Sequence, residues 1–192
     1  MKKLILIGGG GHCKSCIDVI EQENKYKIAG ILDTSDKIGQ KIFDYEIVGT
    51  DNDIEKYVKE GSHFLITLGQ ITSADLRKNL YNRIIDCGGT PATIISPDAY
   101  VSKHAEIGQG TIIMHKAVVN AGAKIGNNCI INTSALVEHD CVVENDCHVA
   151  VGAVLAGGVT VGKESFIGAN SVVVQTVSLP QRSFVKAGSL VK

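Results

Sequence analysis

Four histidines stand in the second half of the sequence, His104, His115, His139 and His148, and imidazole is the side chain best suited to moving a proton near neutral pH. His139 lies in the segment Val137-Glu138-His139-Asp140-Cys141, two places after an aliphatic residue that belongs to a regular series, and Gly157 follows eighteen residues later. If eighteen residues make one structural coil, His139 and Gly157 share an outward corner on adjacent coils. The pair then sets a base beside a free backbone N–H. His148 directly precedes another aliphatic residue of the series, Val149, and so belongs to a different face. Within one chain it does not easily meet His139, whereas across a subunit interface it can. Against this stands the plain alternative that a lone histidine is usually a solvated turn residue.

A second constellation opens the chain. Ile7-Gly8-Gly9-Gly10-Gly11-His12 follows an apolar strand-like run and precedes a helical pattern, so backbone N–H groups can approach a phosphate at a helix N-terminus. Asp33 ends the next strand, about where an acidic residue can hold a ribose or base. As a dinucleotide fingerprint the turn is incomplete, because Cys13 occupies the third glycine position. A mononucleotide, such as the nucleotide half of a sugar donor, suits it better.

The elements that position these residues follow from periodicity. Every sixth residue from Ile95 to Val173 is aliphatic, fourteen in succession, and the residue four places after each is small or β-branched. Neither an α-helix nor a flat strand has period six. A three-sided coil of short strands does, with residues eighteen apart stacked, so residues 95 to 178 are expected to form four to five coils of a parallel β-helix. Cys129, Cys141 and Cys147 fall on the small inward positions, where a thiol acts as a compact hydrophobe.

The first ninety residues alternate strand and helix: strands over 3–7, 28–32 and 64–68, helices over 12–23, 51–59 and 71–87. That alternation predicts a small parallel α/β sheet, half of a Rossmann-like fold. The expected division is a nucleotide-sugar-binding domain over 1–90 and a β-helix domain over 91–192. A formal net charge of −1, no Trp and scattered aromatics give no footprint for nucleic acid. No run approaches membrane-span length, the N-terminal apolar run is too short for a signal peptide, and the expected location is the cytoplasm with six free thiols. No Cys/His cluster has zinc spacing, and the histidine separations of 11, 24 and 9 lack the pair five residues apart used by β-helical carbonic anhydrases, so no metal is expected.

Taken together, Gly8 to His12, Leu32-Asp33, Leu68-Gly69, Asn132-Thr133-Ser134, Glu138-His139-Asp140-Cys141 and His148 to Ala153 resemble the sialic acid O-acetyltransferase family of bacterial sugar acyltransferases. They are most similar to the branch that N-acetylates nucleotide-linked 4-amino-4,6-dideoxy sugars. The resemblance covers essentially the whole chain and implies a left-handed β-helix, acetyl-CoA as co-substrate, and a homotrimer with active sites between subunits. It implies His139 as general base oriented by Asp140, His148 holding the acetyl carbonyl from the facing subunit, the Gly157 N–H on the thioester oxygen, and Asn132 within the site. Gly8, Gly9, Gly10, Gly11, His12, Asp33 and Gly69 would meet the nucleotide-linked sugar, with UDP the expected carrier. The rival acceptor is a sialic-acid-type sugar acetylated on oxygen; a non-catalytic nucleotide-binding scaffold is the rival of another class. The tail, Ala187-Gly188-Ser189-Leu190-Val191-Lys192, departs from the family's usual ending and leaves its part in CoA binding open.

Overall fold

The computed structural model describes residues 1–192. Its first strand, β1 (Lys2–Ile7), is buried on both faces from Leu4 onward, as the centre of a parallel sheet must be. Helix α1 (Gly11–Glu23) turns Cys13, Cys16, Ile17, Val19 and Ile20 inward and ends at Asn24, whose left-handed backbone lets its N–H return to the Ile20 carbonyl. β2 (Tyr26–Leu32) lies parallel to β1.

Next comes a hairpin that the periodicity did not announce, β3 (Lys41–Ile42) and β4 (Tyr45–Gly49). β4 runs parallel to β2 but antiparallel to β3, so the sheet is mixed at this edge and not all parallel as expected. Two turn residues, Phe43 at φ +52 and Asp44, are all that separates these strands. The helix expected over 51–59 is split into a 3-10 turn (Asp51–Asp53), capped reciprocally by Thr50 and Asp53, and α2 (Ile54–Lys59). β5 (His63–Ile66) stops two residues earlier than expected, and the helix expected from Ile71 starts only as α3 (Asp75–Asp86), where the Ser73 hydroxyl accepts the Asp75 N–H. Residues 67–74 are therefore loop. β6 (Thr90–Pro91) completes the order β3-β4-β2-β1-β5-β6.

From Ile94 to Val191 the chain makes a two-residue strand every six residues, seventeen in all, sorted into three parallel sheets. Partners are eighteen apart, as in Ile113↔Ile131↔Val149. The coil runs through Leu179, Val185 and Val191 to the end of the chain, past the limit of 178 expected from sequence. The atypical tail is thus strand. The second residue of each strand points inward, and with the small residues it forms one core of 20 buried residues, each fully buried Ile or Val contributing about 1.5–3 kcal/mol. The corners repeat too: residues such as Ser134, Asp140 and Asp146 take the left-handed backbone at six-residue intervals.

The three outer faces differ. The first carries Ile94, Ile112, Ile130 and His148, all covered by the N-terminal sheet domain, then Phe166 and Phe184. The second carries Tyr100, Val118, Leu136, Val154, Val172 and Leu190, an apolar ladder that nothing in the chain covers. The third is mostly polar: Glu106, Lys124, Val142, Thr160, Ser178. No helix is long and apolar enough to cross a membrane.

Candidate active site

His139 follows the second-face strand Leu136–Val137, at the corner where the chain turns to the third face. Its side chain is 63% exposed. Nδ1 lies 2.9 Å from Asp140 Oδ2, and this carboxylate holds the imidazole pKa above its ordinary value. A Nδ1–H fixed on Asp140 leaves Nε2 with its lone pair outward, the tautomer a base needs. The ring stands over Gly157 one coil along: a Cβ built there would come 2.6 Å from Nε2. The Gly158 N–H donates to the His139 carbonyl at 2.9 Å, while the Gly157 N–H has no acceptor within the chain. Base, orienting carboxylate and free N–H thus occupy one corner.

Asn132 and His148 lie together at a different corner, between the first and second faces, so the second face separates them from His139 of the same chain. His148 is only 7% exposed. Its Nδ1 donates to the Gln70 carbonyl at 2.6 Å, and Nε2 accepts from Asn132 Nδ2 at 3.0 Å. The amide orientation is fixed, since Asn132 Oδ1 accepts the Thr133 N–H. Burial lowers the His148 pKa to about 4, so the ring is neutral at pH 7. With one nitrogen donating and the other accepting, no ring N–H of His148 is left free within this chain. The free donor at this corner is the second hydrogen of Asn132 Nδ2. Gln70 was invisible in the sequence; its Nε2 reaches the Asp146 carbonyl at 2.8 Å, locking the 67–74 loop to the coil.

The glycine turn divides its labour. Gly8, at φ +103, packs against Leu68 where no side chain would fit, and its carbonyl accepts from Thr67 Oγ1 at 2.6 Å. The Gly9 N–H donates to Asp33 Oδ2 at 2.6 Å, and Asp33 Oδ1 takes the Thr34 N–H and Lys37. Asp33 therefore braces the turn with both oxygens. Gly10 and Gly11 face open space at the start of α1, where a ligand phosphate can meet free N–H groups. Gly69 neighbours His12, with a built Cβ 4.0 Å from the His12 Cβ. His12 Nε2 is buried without a partner, and burial, helped by Arg77 and His148, lowers its pKa to about 4. A neutral ring nitrogen so left costs about 1–3 kcal/mol unless something supplies a partner. Gly8 and Asp33 border a cavity of about 490 Å³ with Leu32, Thr50, Asp51 and Arg83, a volume within the range of small-molecule sites. A smaller cavity of about 240 Å³ lies under the 70–75 loop; its Glu164 is held by Lys78 and Arg182 at 2.9 and 2.8 Å.

One buried cation ties the two halves. Arg77 of α3 is 1% exposed; Nη1 donates to the Ile66 and Leu68 carbonyls, and Nη2 to the Asn128 carbonyl and Oδ1. His104 is an exposed turn residue, and His115 joins Ser96 to Asp18 of α1 at 2.7 and 2.8 Å, a strut away from the site. No group of His, Cys, Asp or Glu is arranged to hold a metal ion.

Comparison with known proteins adds the relatives. The signature of the PglD N-terminal domain matches residues 3–84, and that of the bacterial transferase hexapeptide, in six-repeat units, matches residues 104–139 and 140–175. PerB from Caulobacter crescentus, solved in complex with CoA and GDP-perosamine, superposes with TM-score 0.92 at 31% identity over 100% of this chain and 89% of that one. The acetyltransferase domain of PglB from Neisseria gonorrhoeae gives 0.93 at 30% identity over 100% and 92%. The same domain in complex with acetyl coenzyme A gives 0.89 at 30% identity over 97% and 89%. No protein of curated function matches by sequence.

Proposed function

This chain belongs to the left-handed β-helical sugar acetyltransferases with a PglD-type N-terminal domain, and from that membership we propose that it transfers acetyl from acetyl-CoA to the 4-amino group of a nucleotide-linked 4-amino-4,6-dideoxy sugar. The observation that carries this reading is the His139 corner, where an oriented base stands beside a free N–H. His139 Nε2 accepts the proton the amine loses as its nitrogen attacks the thioester carbon. The Gly157 N–H meets the charge that develops on the carbonyl oxygen, a contribution of about 3 kcal/mol. As the C–S bond breaks, the imidazolium returns its proton to the leaving thiolate. No covalent enzyme intermediate is required, because the amine is itself the nucleophile. Asn132, braced by neutral His148, offers its remaining amide hydrogen to the acetyl end of the co-substrate. The glycine turn and His12 meet the nucleotide-linked half.

The partner that completes the site is a second and third copy of the chain. Tyr100 and Leu190, each 59% exposed, end an apolar ladder six side chains long on the second face, the kind of patch that marks an interface. His139 edges this face on one side and Asn132 on the other. Packing such faces around a threefold axis would bring one chain's His139 toward the next chain's Asn132. Replacing Val154, mid-ladder, with Glu is expected to convert a trimer to monomers in sedimentation equilibrium and to remove acetyl transfer with it. A trimer that persists at unchanged affinity would show that this face is not the interface.

The direct test is release of free CoA on mixing the protein with acetyl-CoA and nucleotide-linked 4-amino sugars. Release should require both, and the free sugar should not substitute. Because Gly10 has open space around its Cα, Gly10→Val should fold normally yet block the approach of phosphate, raising the acceptor KM about tenfold or more (a factor of ten being about 1.4 kcal/mol) with the acetyl-CoA KM unchanged. An equal loss for both substrates would point to misfolding.

A further inference from the structure

The cavity at the carboxyl ends of β1, β2 and β4 contains one carboxylate without a task. Asp33 is engaged at both oxygens, and Asp53 is consumed by the reciprocal cap on Thr50. The carboxylate of Asp51, which follows β4 and borders the same cavity, makes no hydrogen bond or ion pair, and only the residue's main-chain carbonyl is engaged, by the Ile54 N–H. It is half-buried, and burial raises its pKa while the nearby Arg83 guanidinium opposes the rise. Arg83 lines the cavity as well, tethered through Nη2 to Asn52 Oδ1 at 3.2 Å. Leu32, Leu68 and Leu76 supply apolar wall.

We propose that this cavity selects guanine as the base of the nucleotide-linked sugar, with Asp51 as the residue that reads it. This rests on the reading above that the cavity receives a nucleotide. A carboxylate only accepts hydrogen bonds, and it accepts best from two adjacent donors. Guanine presents such a pair, N1–H and the exocyclic amine, on its Watson–Crick edge. Uracil presents a single N–H between two carbonyl oxygens, each of which repels a carboxylate. Adenine and cytosine present one amine beside a bare ring nitrogen. Guanine also offers O6 and N7, the acceptor pair that a guanidinium fork matches, and Arg83 is the guanidinium in the cavity. The apolar leucines suit the face of a purine. This assignment departs from the uracil carrier expected from sequence: Asp33, the acidic residue offered there for a ribose or base, is engaged at both oxygens.

Calorimetric titration of the full chain with GDP, UDP, CDP and ADP tests it. GDP should bind at least about tenfold more tightly than UDP, and Asp51→Asn, which puts an amide donor opposite the guanine amine, should erase that preference while UDP affinity holds or improves. An unchanged melting temperature certifies the variant's fold. UDP binding as tightly as GDP to the unaltered protein would overturn the guanine assignment and leave the nucleotide reading standing. A GDP preference that survives in Asp51→Asn would overturn the role of Asp51. If none of the four nucleotides binds, the nucleotide reading itself fails.

Discussion

Replacing His139 with alanine is expected to lower kcat by about 10²–10⁴-fold, the range for loss of a general base, with the oligomer and the melting temperature unchanged. The fold should tolerate the change because the ring is 63% exposed and its backbone contacts do not depend on it. The pH profile supplies the signature that a structural role would not. The neutral ring is the base, so activity is lost as pH falls through its pKa. The Asp140 carboxylate holds that pKa above the ordinary 6.5, so the acidic limb of kcat/KM should lie above pH 6.5. Asp140→Asn keeps the shape, removes the charge, and should move the limb to lower pH while reducing kcat. A limb that stays in place in Asp140→Asn would mean that another group sets the profile, and near-normal kcat in His139→Ala would remove His139 from the mechanism.

The second large effect concerns stability. Arg77→Met is expected to destabilise the protein by at least about 3 kcal/mol, since the Ile66, Leu68 and Asn128 acceptors lose their donor at about 1–3 kcal/mol each. For a chain of this length that lowers Tm by at least about 6 °C. Burial lowers the Arg77 pKa to about 10, so the guanidinium is still charged at neutral pH, and its fork serves acceptors on both halves at once. Lysine should rescue little, because a single ammonium cannot span four acceptors in fork geometry. The loop 67–74 hangs from the Leu68 carbonyl and from Gln70, so the variant should also raise the acceptor KM at temperatures where it remains folded. A melting temperature within 2 °C of the parent would show that the clamp is not what joins the halves.

The β-helix was legible because its determinants are local and repeated. An inward aliphatic every six residues states the period, the period states that partners lie eighteen apart, and Ile113, Ile131 and Val149 stack as that arithmetic requires. The pairing of His139 with Gly157 came with it. The end of the coil was harder to read: Leu179, Val185 and Val191 keep the period, but Pro180 and the polar corners around them masked it. In the N-terminal part the strong apolar runs showed, whereas the β3–β4 hairpin did not, since a two-residue strand closed by Phe43 and Asp44 has too few residues to carry a pattern. The misplaced start of α3 had a like cause, for Ile71 looks helical by type but is 61% exposed in a loop.

By itself the sequence determined the six-residue coil, the glycine turn that opens α1 and the corner that carries His139, because each depends on neighbours at a fixed sequence distance. Tertiary structure alone decided the rest. Whether His148 donates or accepts was settled by Gln70, seventy-eight residues away, whose carbonyl takes its only N–H. Asp51 and Arg83 share a cavity, and Arg77 reaches Asn128, only because α3 packs on the sheet and the sheet packs on the first face of the coil. Such pairs have no period to betray them: their separations are set by how faces bury one another, and that is a property of the packed molecule.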